Sequence, residues 1–360
     1  MNGPRPRVAL GLSPSSATGL FLLPAGVAVG PNGLGFLSPS VLSYLDPAVP
    51  VALAALGVLV GLGLGGRRLP ERRSRLLLAA SLEAGLTILL VGTAVLFVYR
   101  AAEPTGPASW LLALVLGICA STSSTVVVDD PDGPGAATRQ AVGLDNVLPI
   151  VLGGVALAFV QERDIAPAFS LTAQASTVFL IIALVGWLLI TRSSSEREQQ
   201  VFAIASLLLI GGAAEYLSLS ALLAGLIAGL FWGFAGGPAR DRLHHEVLHL
   251  QHPLLVFVLL MAGARADLSV SLLGMATIYL LLRLTGKLAG EWIARRMRGA
   301  EGPRSLATAL IAPGIMGVAF ALNVLRAGGP DTAPVLAVAV AGTFGSELLA
   351  LIVRQTEARE

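Results

Sequence analysis

Of the 24 basic residues in the chain, one alone is a lysine, Lys287, and it lies inside the apolar run 270–294. Arginine keeps its charge in almost any environment, whereas a desolvated lysine ammonium can release its proton. A single lysine in such a run therefore sits where proton exchange is chemically accessible. Arg283 and Glu291 stand four residues before and after it, so the three share one helix face. A second polar cluster interrupts another apolar run, where Ser121, Thr122, Ser123, Ser124 and Thr125 set five hydroxyls in a row. The third is Asp145-Asn146, followed by Pro149, early in the run 140–160. A charge in the middle of a membrane helix costs about 2.5 to 3.5 kcal/mol on insertion scales and is as a rule paired or functional. The natural partner of Asp145 is Lys287 or Arg283, and such a pair beside the hydroxyls makes a polar site of oxygen ligands suited to a small cation. The competing reading is a buried salt bridge that only fixes helix register.

These residues need helices to position them. Hydrophobic residues make up 55% of the chain and charged residues 13%, with a mean hydropathy of +0.79, against roughly 25% charge in a soluble domain. The composition excludes a soluble enzyme or a nucleic-acid-binding module and predicts an all-α polytopic membrane protein, residues 1–360 forming a single transmembrane domain in the lipid bilayer. About 20 apolar residues cross the hydrocarbon core. Twelve segments qualify, near 7–30, 48–66, 76–99, 108–128, 140–160, 171–191, 201–215, 218–236, 253–268, 270–294, 304–325 and 333–353. The short seventh segment and the tight turn at Arg265 and Asp267 are the weakest boundaries. With both termini in the cytoplasm of a cell (inner) membrane, 18 of the 24 basic residues fall on the inside, four outside, and Arg283 and Lys287 within the bilayer, as the positive-inside rule requires. Cys119 is the only cysteine, so no intrachain disulfide forms. Arg5 and Arg7 precede an apolar stretch without the short core and small-residue cleavage site of a signal peptide.

Two spans are interrupted. The fourth carries the hydroxyl run, and the eleventh carries Pro313, Gly314 and Gly317. Freed carbonyls and hydroxyls at mid-membrane are tolerated where they line a cavity or bind something polar, and paired interruptions in matching positions point to a transporter site. Each is the middle member of a triplet, spans 3 to 5 and spans 10 to 12. The plainer explanation for either alone is back-bonding of Ser and Thr to the helix and close packing of small residues. Glu83 and Glu347 belong to the same triplets and either can relay protons or pair locally; neither is assigned as a ligand. Glu215 is expected at an interface.

His245-Glu246-Val247-Leu248-His249 fits H-E-x-x-H, the zinc-protease pattern. It lies in the polar segment Asp241 to His252, which holds all four histidines, so chance accounts for the match more readily than a protease does. A pH-sensing cluster and a solvated amphipathic linker are the other readings, the linker being favoured. No metal or cofactor is expected.

Several segments resemble one family. Gly26 to Gly35 (GVAVGPNGLG), Glu215 to Gly229 (EYLSLSALLAGLIAG), Leu260 to Leu268 (LMAGARADL), Arg283 to Gly290 (RLTGKLAG) and Gly345 to Leu348 (GSEL) match, in order and spacing, motifs of the monovalent cation:proton antiporter superfamily, especially its bacterial sodium/proton exchanger branch. The resemblance implies an inverted-repeat antiporter fold with broken, crossed helices 4 and 11. It implies a core bundle, 76–160 and 270–353, that slides past dimerisation or scaffold helices, 7–66 and 171–268, in a homodimer with elevator-type alternating access. By position, Thr122 and Ser123 match the polar crossing, Asp145 and Asn146 the acidic pair of span 5, and Lys287 the span 10 lysine of electrogenic members. The chain departs from the pattern at Asn146, where the family carries its transport carboxylate; an amide oxygen can coordinate a cation but takes up no proton. The expected function is proton-coupled antiport of Na+ or K+ by a secondary transporter, not an enzyme, with Asp145 as the remaining acidic ligand and Asp129, Asp130 and Asp132 lining a cytoplasmic funnel that concentrates cations. A transport-silent homologue acting as partner subunit or sensor is the alternative.

Overall fold

The computed structural model describes residues 14–64, 72–102, 109–123, 146–162, 164–298 and 315–357. Asp145, the funnel residues Asp129, Asp130 and Asp132, and the breakers Pro313 and Gly314 lie outside the described residues. What is described is built from α-helices: α1 (Pro14–Val29), α2 (Pro39–Leu45), α3 (Ala48–Leu64), α4 (Arg72–Ala102), α5 (Ser109–Ser121), α6 (Val147–Glu162), α7 (Ile165–Arg192), α8 (Glu196–Tyr216), α9 (Ala221–Ala235), α10 (Gly237–Arg265), α11 (Val270–Arg298), α12 (Ile315–Gly328) and α13 (Ala333–Glu357). Each of the twelve expected runs overlaps one long helix. Four helices contain stretches long and apolar enough to cross a bilayer, Ala80–Ala101, Ala166–Arg192, Arg240–Arg265 and Leu272–Gly290, and α2 with α3 makes a fifth, bent by 48°. Among the described residues α5 ends at Ser121, where the fourth span is expected to be interrupted, and α12 is described from Ile315 onward.

Local chemistry sets the helix ends. Ser38 caps α2 with Pro39 at its first position, and Ser220 caps α9, its hydroxyl accepting the Leu223 N–H at 3.2 Å. Gly236, at φ 68°, ends α9 in the left-handed region, and α10 starts at once with Pro238 in its first turn. The polar segment Asp241 to His252, expected as a linker, is therefore the opening of α10 and continuous with the apolar turns that follow. Its own hydrophobic residues explain this, since Leu243 and Val247 are buried while the histidines face away. The turn expected at Arg265 and Asp267 is the junction between α10 and α11.

Small residues bring the helix axes together. A Cβ on Gly57 would lie 2.2 Å from the Leu222 carbonyl oxygen and one on Gly61 2.6 Å from that of Leu226; reciprocally, Gly225 would strike Ala54 at 1.9 Å and Gly229 Val58 at 2.4 Å. The α3 and α9 backbones thus interlock four times, the contact that gives membrane helices their packing energy where lipid supplies no hydrophobic drive. Gly26 of α1 and Gly263 of α10 repeat it, at 2.6 and 2.4 Å from Leu260 and Leu23 carbonyl oxygens. The second layer groups α4, α5 and α11, with α12 and α13 packed on them.

Candidate ion site at the end of helix α5

Helix α5 stops at Ser121, which leaves its last four carbonyls without the amide donors that a continuing helix would provide. Every one of them finds a donor. The Ser121 hydroxyl donates back to Ile118 at 2.8 Å and the Thr122 hydroxyl to Cys119 at 2.9 Å. The other donors come from α11. Arg283 donates to the Ala120 carbonyl and, at 3.0 Å, to that of Thr122, and the Lys287 ammonium donates to the Ser121 carbonyl. Two cations at the negative end of the α5 dipole are also favourably placed by their charge.

Lys287 has two further partners. Its Nζ donates to the Ser123 hydroxyl at 2.7 Å and lies 2.8 Å from Glu83 Oε1 on α4, with the Lys287 and Glu83 side chains 1% and 4% exposed. The ammonium of this deep pair is also held by the Ser121 carbonyl and the Ser123 hydroxyl; removing one member of the pair leaves a buried charge and costs about 3–5 kcal/mol. The approach of α4 to α11 depends on two glycines that flank the lysine. A Cβ on Gly290 would sit 2.3 Å from Glu83 Cγ, and one on Gly286 3.1 Å from Thr87. A small cavity of about 10 Å³, at the threshold for holding one water, is lined by Arg283 and Lys287 of α11 and Ser346 of α13. Glu347 is buried next to Ser346.

Asn146 precedes the first residue of α6, and its carbonyl accepts the Ile150 N–H at 3.1 Å. Its side chain pairs with the backbone of Ser123: Oδ1 accepts the Ser123 N–H at 3.1 Å and Nδ2 donates to the Ser123 carbonyl at 3.0 Å. The end of α5 and the start of α6 are thereby tied through one fully buried amide. The start of α12 closes the site, Gly317 lying against α5 so tightly that a Cβ would be 2.6 Å from the Cys119 carbonyl oxygen and 2.7 Å from Thr122 Oγ1.

Thr122, Ser123, Asn146, Arg283, Lys287 and Gly317 are therefore brought to one place, and Asp145 precedes Asn146 in the chain. Sequence reasoning paired Lys287 with span 5 and left Glu83 unassigned. The signal for Glu83 was the spacing G-K-x-x-G in Gly286 to Gly290, which clears space on the lysine's helix for a neighbouring backbone. The hydroxyls of Ser121 and Thr122 also donate to carbonyls of their own helix, which leaves their oxygen lone pairs to accept.

At the end of the bundle expected to face outward, Glu215 of α8 pairs with Arg326 of α12 at 2.6 Å, and Asp46 pairs with Arg265. Glu215 is 52% exposed, so Glu215→Gln is expected to cost under about 1 kcal/mol in thermal unfolding of the purified protein; a larger loss would mean that this pair holds α8 and α12 together. At the other end Arg242 pairs with Glu196 and Gln200 donates to Glu246. Glu246 of the H-E-x-x-H pattern is thus engaged by α8, and among the described residues no group of three His, Cys, Asp or Glu is disposed to hold a metal ion.

No protein-family model matches the chain, and no curated protein matches its sequence. Solved structures do match. The sodium proton antiporter MjNhaP1 from Methanocaldococcus jannaschii at pH 8 superposes with a TM-score of 0.67 at 16% identity, covering 94% of this chain and 90% of that one. An electron-microscopy structure of the same antiporter gives 0.66 at 15% identity, over 94% and 88%. The chain therefore has the fold of a sodium proton antiporter, nearly end to end.

Proposed function

We propose that the chain is a proton-coupled antiporter for a monovalent cation, sodium or potassium, and belongs with the monovalent cation:proton antiporter superfamily that its motifs resemble. The observation that carries this reading is the buried Glu83–Lys287 pair set against the hydroxyl of Ser123 and the open end of α5. A cation entering there meets the Glu83 carboxylate and the Ser123 hydroxyl and competes with the ammonium for the same oxygens, and Asp145, one residue before Asn146 in the chain, is the further acidic ligand expected from the sequence. The lysine, deprived of its counter-ion in a low-dielectric site, gives up its proton to solvent; on return, proton uptake by the amine releases the cation. One positive charge replaces another at each half-cycle, which is antiport. Alternating access follows if the core, 76–160 and 270–353, slides in elevator fashion past the scaffold, 7–66 and 171–268, of a homodimer in the cell membrane.

Asn146 gives this reading its test. Its two bonds to Ser123 are those that a protonated aspartic acid would make, one accepting and one donating. An ionised aspartate there would set an acceptor against the Ser123 carbonyl and lose that bond, so Asn146→Asp adds a proton site coupled to the joint between α5 and α6. The protein is reconstituted into liposomes with a pH-sensitive dye, a proton gradient is imposed and sodium or potassium is added. Cation-evoked dequenching is expected in the wild type, and its loss in Asp145→Asn and Glu83→Gln. In Asn146→Asp exchange is expected to continue with a shifted pH profile. A silent wild type that gains exchange in Asn146→Asp supports the second reading, a transport-silent homologue acting as partner subunit or sensor, which the fixed amide favours.

A further inference from the structure

The four histidines, unused by the ion site, cluster in the first turns of α10, and two of them converge. His245 and His249 are both exposed, their rings meet edge to face with centroids 4.3 Å apart, and their Nε2 atoms lie 3.0 Å from each other. Two neutral imidazoles in this arrangement share one proton, a single N–H of one ring pointing at the lone pair of the other. The two Nε2 atoms therefore lie side by side on the exposed surface of the helix, and rotation of the rings brings both lone pairs to one metal ion. With metal–nitrogen bonds of about 2.0–2.1 Å, a separation of 3.0 Å corresponds to a ligand–metal–ligand angle of about 94°, which is the angle between adjacent positions of a square-planar or octahedral ion and less than a tetrahedron needs. We propose that His245 and His249 form a two-point chelate for a divalent transition-metal ion of the nickel or copper class, on the solvent face of α10 and separate from the ion site.

The helix supplies the chelate ready-made. Imidazole nitrogen suits late first-row divalent ions, whereas calcium and magnesium demand oxygen ligands, so neither competes. The two ligands sit one turn apart on a segment held in place, with Leu243 and Val247 buried on the opposite side and the neighbouring Arg242 and Glu246 engaged by Glu196 and Gln200 of α8. For both Nε2 atoms to bind, the proton held between them moves to Nδ1 of its own ring, and the two rings turn toward the metal without rearrangement of the backbone. Glu246 is occupied by Gln200, so the metal keeps solvent in its remaining positions. The site has two protein ligands and no general base, which makes it a binding site and not the centre of a protease.

The test uses full-length protein purified in detergent without a polyhistidine tag, titrated with Ni2+ and, separately, Cu2+, Zn2+ and Mg2+, with binding read by calorimetry and the copper form also by its electron paramagnetic resonance spectrum. One equivalent of Ni2+ or Cu2+ is expected, with nitrogen hyperfine structure on the copper signal and no uptake of Mg2+. Because the second ligand acts at high effective concentration, His245→Gln and His249→Gln should each weaken binding by about tenfold or more, while His244→Gln and His252→Gln leave it within about twofold. Size-exclusion profiles confirm that each variant is folded, and glutamine at an exposed helix position preserves helix propensity. Binding that survives in both single variants, or that falls instead in His244→Gln or His252→Gln, overturns the assignment.

Discussion

Lys287→Met is expected to lower the stability of the protein by about 3–5 kcal/mol, because it leaves the Glu83 carboxylate buried without its cation. Glu83→Gln should be damaging by the same argument with the signs exchanged, the ammonium losing its counter-ion. The double variant is the informative one. With both charges gone, the penalty of an uncompensated ion disappears, and Glu83→Gln/Lys287→Met should be markedly more stable than either single variant, leaving a positive coupling between the two sites. It will not regain the wild-type value, since the Ser121 carbonyl also loses its donor. Cation-evoked proton movement in liposomes should be absent from all three. Thermal unfolding in detergent, followed by tryptophan fluorescence, gives the cycle; additivity of the two single effects would show that the pair is not a unit, and a double variant that still exchanges would remove these residues from the transport chemistry.

Gly225→Ala should be as severe for a different reason. The new methyl would lie 1.9 Å from the Ala54 carbonyl oxygen, and the neighbouring obstacles are backbone atoms of Ala54 that no rotamer change can move. The α3 and α9 axes must then separate along their whole interlock, forfeiting packing at Gly57, Gly61 and Gly229 together. Overpacking of a core costs about 1–3 kcal/mol where side chains can adjust, and here the cost should exceed that range. Gly212→Ala is the matched control: it is helical, exposed and has open space around its Cβ position, so it should be neutral or stabilising by up to about 1 kcal/mol. Equal melting temperatures for the two variants would mean that α3 and α9 are not held by backbone contact.

Helices as apolar as these announce themselves, which is why each expected run overlaps a helix and why the tight turn after Arg265 falls where it was expected. The polar opening of α10 was harder to read because two forces compete there. Composition argues for a solvated linker, but Pro238 in the first turn and the i, i+4 pair Leu243 and Val247 argue for a helix with one buried edge, and the edge prevails. Most members of the site were legible in the sequence, and the contact between Lys287 and Glu83 was not. Lys287 stood out by type, Thr122 and Ser123 by position and Asn146 by its departure from a motif. That the ammonium reaches Glu83 depends on which helices touch, and a sequence records contacts only indirectly, through small residues such as Gly286 and Gly290. The hydroxyls of Ser121 and Thr122 have a role that composition does not show, since a helix that ends early must find donors for its own last carbonyls.

The composition of the chain turns one atom into a reporter. Since Lys287 is the only lysine, protein grown on nitrogen-15 lysine carries one labelled ammonium, and the side-chain spectrum consists of a single resonance. That nitrogen touches Glu83, Ser121 and Ser123 at once, so its chemical shift and its exchange with water register carboxylate, helix end and hydroxyl together. Its 1% exposure keeps it out of reach of amine-reactive reagents in the folded state, and labelling by such a reagent would time the opening of the site. A protein with scattered surface lysines would bury that signal among many; here the one other amine is the α-amine of the chain, which peptide mass separates from Lys287.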